Sequence, residues 1–340
     1  MRQLIIRVTT GIALASAFAS IPAAAQQTQI RGFTDVTYRA GGKGTAPNDF
    51  GLGQFDLYIT SKLSKDFHFL GETVFEYDEN FLVDVERVIV TYAPTSLFNV
   101  GVGKHHTPIG YWNNAYHHGV VLQPTIERPL MFKFEDEGGV FPIHTTGMLV
   151  SGRDIGPAHL GYDVLVGNGL GSTPISDDNP RKSLTLELRS QVTSFLEVGV
   201  SGYDDRATRG TVNLAGDSLP AGMSQRMVGG YVSFLGSQYE LIGEYQRVMN
   251  HLEASAVEHT DAGYVYAGRR FGAFVPYVRY DRINYPRIDP FFITDDASMG
   301  LVGGRYDFAA TGTVKLEARQ RQLATLGKTR EIVAQVAIGF

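Results

Sequence analysis

Arg330-Glu331-Ile332-Val333-Ala334-Gln335-Val336-Ala337-Ile338-Gly339-Phe340 closes the sequence on an aromatic residue. The even positions Ile332, Ala334, Val336, Ile338 and Phe340 are apolar, and the odd ones include Glu331, Gln335 and Gly339. In an extended chain successive side chains point to opposite faces. Such a strand therefore presents lipid-compatible groups on one side and water-compatible groups on the other.

The same period runs back along the chain. Leu184, Leu186 and Leu188 oppose Ser183, Thr185, Glu187 and Arg189. Val314, Leu316 and Ala318 oppose Lys315, Glu317 and Arg319, and Phe55, Leu57 and Ile59 stand against Gln54, Asp56 and Thr60. Alternating segments bounded by Gly, Pro, Asn, Asp and Ser predict sixteen strands. They lie near 29–38, 51–61, 67–77, 82–93, 98–104, 139–151, 158–167, 182–190, 196–204, 227–235, 239–249, 258–270, 274–283, 299–308, 312–323 and 329–340. In the fourth, Glu86-Arg87 breaks the phase and predicts a bulge.

Linkers after even-numbered strands are short, as at 62–66, 94–97 and 309–311, whereas several after odd-numbered strands are long: 105–138, 168–181, 205–226 and 284–298. That parity is the pattern of a closed antiparallel transmembrane β-barrel with short turns on one side and long loops on the other. A β-sandwich gives no reason for it. Closure also matters physically, because a sheet in lipid must leave no backbone edge unpaired.

The other end of the chain agrees. Residues 1–25 carry Arg2 and Arg7, an apolar stretch from Val8 to Ile21, and Ala23-Ala24-Ala25 before Gln26. These are the parts of a secretory signal peptide, so the barrel is expected to occupy 26–340. Without Arg2 and Arg7 the 30 basic residues fall to 28 against 35 acidic ones, a formal charge of −7, which gives no electrostatic case for nucleic acid. The absence of cysteine excludes disulfides and thiolate metal or nucleophile chemistry. With 39 Gly, 17 Tyr and 20 Phe, the composition suits strands with aromatic girdles.

The polar faces are charged. Asp56, Glu72, Glu76 and Asp84 gather early, with Glu240 and Glu244 later, and Arg269, Arg279, Arg305, Lys315, Arg319 and Arg321 gather late. An outward Arg or Lys at the bilayer midplane would cost about 2–4 kcal/mol, so these residues are expected to face an aqueous interior. Glu72, Glu76, Arg279, Arg305, Lys315 and Arg319 are the expected lumen wall, where either acidic and basic arcs set a transverse field or the charges solvate the lumen and pair with their neighbours.

The segment Gly101-Val102-Gly103-Lys104-His105-His106-Thr107-Pro108-Ile109-Gly110-Tyr111-Trp112, continuing to Glu127-Arg128-Pro129, is long, aromatic and rich in hydrogen-bonding groups. Its Gly103, Lys104, Pro108, Gly110 and Tyr111 resemble a Gly-basic-x-x-x-Pro-x-Gly-aromatic stretch of the Gram-negative porin superfamily, especially phosphate-selective porin O/P-like and related barrels. The strand ending on Phe340 likewise resembles the terminal signature of Gram-negative outer-membrane barrel proteins. The resemblance implies an outer-membrane location, a homotrimer, and a third extracellular loop, 105–138, that folds into the lumen. Lys104, His105, His106, Tyr111, Trp112, Glu127 and Arg128 are then the constriction candidates. Phosphate selectivity is not implied, because Lys104, Arg128 and Lys133 are balanced by Glu127, Glu135, Asp136 and Glu137.

Metal chemistry would need three or four imidazoles to converge. His105, His106, His117 and His118, with His144 further on, are the available donors, but adjacent residues of a strand point apart and no recognised ligand spacing is present. The sequence therefore assigns them to hydrogen bonding between loop and wall, and assigns no cofactor. No catalytic motif is present either; Ser151, His144 and Asp154 match none. The expected function is a passive outer-membrane channel for small hydrophilic or charged solutes, embedded in outer-membrane lipid. The competing class is a non-conducting barrel whose long loops serve surface binding, adhesion or metal capture.

Overall fold

The computed structural model describes residues 27–42, 48–77, 81–117, 119–134, 137–170, 177–293 and 295–340, so the expected signal peptide lies outside the described residues. The strands are β1 Gln27–Gly41, β2 Asp49–Lys62, β3 Phe67–Tyr77, β4 Phe81–Thr95, β5 Phe98–His106, β6 His144–Ile155, β7 Leu160–Gly167 and β8 Ser183–Thr193. They continue as β9 Leu196–Ala207, β10 Met223–Leu235, β11 Tyr239–Leu252, β12 Val257–Arg269, β13 Phe274–Asn284, β14 Ala297–Ala309, β15 Gly312–Leu323 and β16 Gly327–Gly339. Each strand pairs antiparallel with its neighbours in sequence, and β1 pairs with β16 to close the barrel.

The alternation explains the closure. In β15, Lys315, Glu317 and Arg319 are 0%, 1% and 3% exposed, while the intervening Val314 and Leu316 are 40% and 56% exposed. Charge points in and hydrocarbon points out, as a lipid-embedded barrel requires. Exposed aromatics collect beside the short turns: Phe67, Tyr92, Phe98, Phe195, Phe274 and Phe308. This is an aromatic girdle at the short-turn end. The last residue seals the seam, since the Phe340 and Gly32 backbones exchange two N–H···O bonds of 2.8 Å. The Phe340 ring also stacks on Phe55, with centroids 5.8 Å apart.

Glu86 is the extra residue between Val85 and Arg87, which pair with Thr73 and Glu72, so the broken phase is a bulge. Two strands start more than two residues from where the sequence places them. β6 begins at His144 rather than 139, because Gly139 to Ile143 stay in the long connection, where the Val140 N–H donates to the Met131 carbonyl. β10 begins at Met223 rather than 227, its first residues paired with both β9 and β11. The long connection between β5 and β6 therefore runs 107–143. Among its described residues are a short helix, α1, Tyr111–Ala115, and a 3₁₀ turn at Leu130–Phe132.

Candidate functional site

The β5–β6 connection is tied to side chains from strands around the barrel. At its start, Glu244 of β11 accepts the backbone N–H groups of Tyr111 and Trp112 at 2.7 and 2.8 Å, and Glu187 of β8 accepts from Asn114 at 2.8 Å. Further on, Lys315 of β15 donates to the Val120 carbonyl at 2.6 Å, and Glu317 accepts the Ile126 N–H at 2.8 Å. Arg279 of β13 donates to the Glu127 carbonyl at 2.6 Å and to Thr125. The Glu127 carboxylate pairs with Arg319 at 2.9 Å and with Arg39 of β1. Burial alone would push the Glu127 carboxyl up, but Arg319, Lys133 and Arg39 together pull it well below the usual carboxylate range.

Apolar contacts complete the attachment. Ile109, Trp112, Leu130, Met131, Phe132, Val140 and Phe141 share one cluster with inner-face residues of β9 to β14, among them Tyr203, Met227, Ile242, Tyr264, Tyr277 and Leu301. Trp112 meets Tyr264 edge-on at 5.9 Å, and Phe132 stacks on Phe141 at 4.9 Å.

The expected constriction residues do not form one set. Tyr111, Trp112, Glu127 and Arg128 lie within this connection, with Arg128 over the Phe134 ring at 4.8 Å. Lys104 stands apart: it pairs with Val88, whose side chain is exposed, and its ammonium donates to the Val85 carbonyl at 2.7 Å beside Asp84. The His105 ring lies over Gly101, where an added Cβ would come within 3.1 Å of it, and is not grouped with the other histidines. His106, His117 and His144 do come together, their donor atoms all within 4.8 Å. His118 lies outside the described residues.

The expected wall residues point inward but are not bathed in water. Glu72, Arg279, Arg305, Lys315 and Arg319 are all buried, and the Glu76 side chain lies outside the described residues. Nor do acids and bases form opposed arcs. Arg279 bonds Asp281 at 3.1 Å, Arg305 bonds Asp307 at 2.9 Å, and Arg319 bonds Glu317 at 2.6 Å. Each pair is two residues apart on one inner face, the spacing at which strand neighbours meet. Arg305 also reaches Glu240 at 2.9 Å, and Glu72 pairs with Arg87. The pleat brings these charges together as neighbour pairs.

Exposure divides the interior. On β9 to β15 the inner-face side chains are almost all buried. On β1 to β4, Thr37, Arg39, Gln54, Tyr58, Arg87 and Thr91 keep partial access to solvent. At the short-turn end of that side a cavity of about 570 Å³ is lined by Gln29, Arg31, Tyr58, Thr60, Val121 and Leu122. Arg39 is a site residue the sequence reading missed. Its signal was alternation with Asp35 and Thr37 in β1.

No family model and no curated protein matches the chain. Solved structures do match it in fold. A loop L8 deletion mutant of OmpT, an outer membrane protein of Vibrio cholerae, has a TM-score of 0.65 at 13% identity, over 93% of this chain and 100% of that one. OmpT from the same organism in its trimer form gives 0.64 at 13% identity, over 93% and 100%. An anion-selective porin from Comamonas acidovorans gives 0.66 at 12% identity, again over 93% and 100%. The fold is that of the outer-membrane porins.

Proposed function

We propose that the chain is an outer-membrane porin, a passive channel for small hydrophilic or charged solutes. Residues 26–340 form the barrel after removal of the signal peptide at 1–25, and the β5–β6 connection folds into the lumen and narrows it. The observation that carries this reading is the division of the interior. On one side the connection packs against buried inner-face residues of β9 to β14, and the other, on β1 to β4, keeps a polar, partly exposed strip. Solutes would pass along Arg39, Gln54, Tyr58 and Arg87, with Glu127 and Arg319 at the edge of the packed side. Paired charges on this path argue for weak selectivity by charge rather than for phosphate specificity. Transport needs no cofactor and no covalent step, so the protein is not an enzyme. A homotrimer is supported by the trimer form of the Vibrio cholerae barrel.

The burial of Arg279, Lys315 and Arg319 favours a second reading, in which the connection plugs the lumen and the barrel serves surface binding. Swelling of proteoliposomes in iso-osmotic solutions of sugars of increasing size separates the two. Swelling that falls off with solute size supports the channel. No swelling with even the smallest sugar, from protein shown to be folded, supports the plug.

A further inference from the structure

β5 ends at His106 and β6 begins at His144, and these two residues are register partners across the neck of the β5–β6 connection. The connection leaves the neck, passes through α1 and returns His117 to the same place. The His106 and His117 ring centroids are 4.3 Å apart, those of His117 and His144 4.8 Å, and those of His106 and His144 5.3 Å. Glu86, the bulge residue of β4, lies two positions beyond the Val88–Lys104 pair and so beside His106 across the sheet. Its buried carboxylate oxygen is 2.7 Å from His144 Nε2. Three strands and the returning loop thus deliver three imidazoles and one carboxylate to a single point. Among the described residues this is the one group of three or more possible ligands so placed.

We propose that His106, His117 and His144 form a binding site for a divalent transition-metal ion of the zinc type, with Glu86 holding His144 or completing the ligand set. The donor chemistry selects the class. Imidazole nitrogen suits zinc, copper and nickel, whereas calcium and magnesium take oxygen ligands, and the chain has no thiolate to recruit softer ions. Zinc–nitrogen bonds of about 2.0–2.1 Å in a tetrahedron place ligand atoms about 3.4 Å apart. The donor atoms lie within 4.8 Å of one another, and binding an ion would draw them together by rotation of the rings about their side-chain torsions. A carboxylate on the far nitrogen of a ligating histidine is a recurring way to fix its orientation.

The position gives the ion a mechanical role. His106 and His144 flank the connection and His117 lies inside it, so one ion would clamp both ends of the segment to its interior. The proposal goes beyond the channel reading and stands without it, since the site requires only that the neck be built as described.

The experiment is calorimetric titration of the folded, untagged mature barrel in detergent with zinc chloride, repeated with cobalt to record the visible bands of a tetrahedral ion. The expected result is one ion per chain. His117→Ala should weaken binding at least about 100-fold and Glu86→Gln about 10- to 100-fold. His251→Ala, at an exposed histidine, should leave it unchanged. His106→Gln stands in for any variant that fails to show a folded barrel by heat-modified gel mobility. Absence of binding up to about 1 mM zinc, an affinity of only about −4 kcal/mol, overturns the proposal. So does binding that survives in folded His117→Ala or His106→Gln protein.

Discussion

Replacing Glu127 by Gln should loosen the β5–β6 connection while leaving the barrel closed. The substitution keeps the side chain's size but removes the carboxylate shared by Arg319 and Arg39. Severing one partner of a fully buried ion pair costs about 3–5 kcal/mol. Glu127 is about a quarter exposed, and Arg319 keeps Glu317 at 2.6 Å and Glu331 at 3.5 Å. The loss should therefore be smaller, about 1–3 kcal/mol, with part of it screened by solvent. Trp112 is the only tryptophan, sits in the connection and is fully buried, so its emission reports on this segment alone. In urea, the Trp112 transition of the Glu127→Gln protein should move to lower denaturant, ahead of loss of the β-sheet signal. The same carboxyl predicts a pH profile. Its folded value lies below its unfolded one, so it contributes stability above the ordinary carboxylate range. That stability is lost only as pH falls through the depressed value. Read as the difference between wild type and Glu127→Gln, the gain in the Trp112 midpoint should persist down to about pH 4.3 and fade only below it. A Trp112 transition that coincides in wild type and variant would refute the reasoning.

Other substitutions test the walls and the seam. Leu316→Arg places a charge on the lipid face and should destabilise the barrel by about 2–4 kcal/mol in denaturant unfolding from lipid. At the adjacent Lys315, Lys315→Met strips donors from the Val120 and Thr125 carbonyls, so it should lower the Trp112 midpoint by about 1–3 kcal/mol and spare the sheet. Deleting Phe340 removes two seam hydrogen bonds and the Phe55 contact, so the yield of heat-resistant barrel on refolding should fall. Gly103→Ala sets a Cβ against the Val88 carbonyl at φ +150, and should cost about 1–3 kcal/mol in the same unfolding assay.

The barrel was legible in the sequence because its information is local. Alternation at Val314–Arg319 or Ser183–Arg189 is visible within a few residues, and turn chemistry marks where each strand stops. Even the bulge at Glu86 appears as a broken phase. The interior was not legible, because its partners are distant: Lys315 meets Val120 across 195 residues, and Arg279 meets Thr125 across 154. The identity of the charged residues could be read, with opposed arcs and pairing between neighbours both open; the i, i+2 pairs Arg279–Asp281 and Arg305–Asp307 depend on which residues share an inner face. Lys104 was placed in the constriction by its neighbours in sequence, whereas its register with Val88 sends it elsewhere. For the histidines, spacing along the chain carried no signal. Convergence depends on the His106–His144 register and on where the connection returns His117, and both are set by folding at long range.

The most direct test of the channel reading is single-channel current across a planar bilayer. It should compare the folded wild-type barrel with a variant whose residues 109–141 are replaced by a short Gly-Ser link. The account predicts steady ohmic steps from the wild type and larger steps from the shortened variant. A wild-type barrel that inserts, keeps its fold and never conducts would contradict it, whatever the shortened variant does.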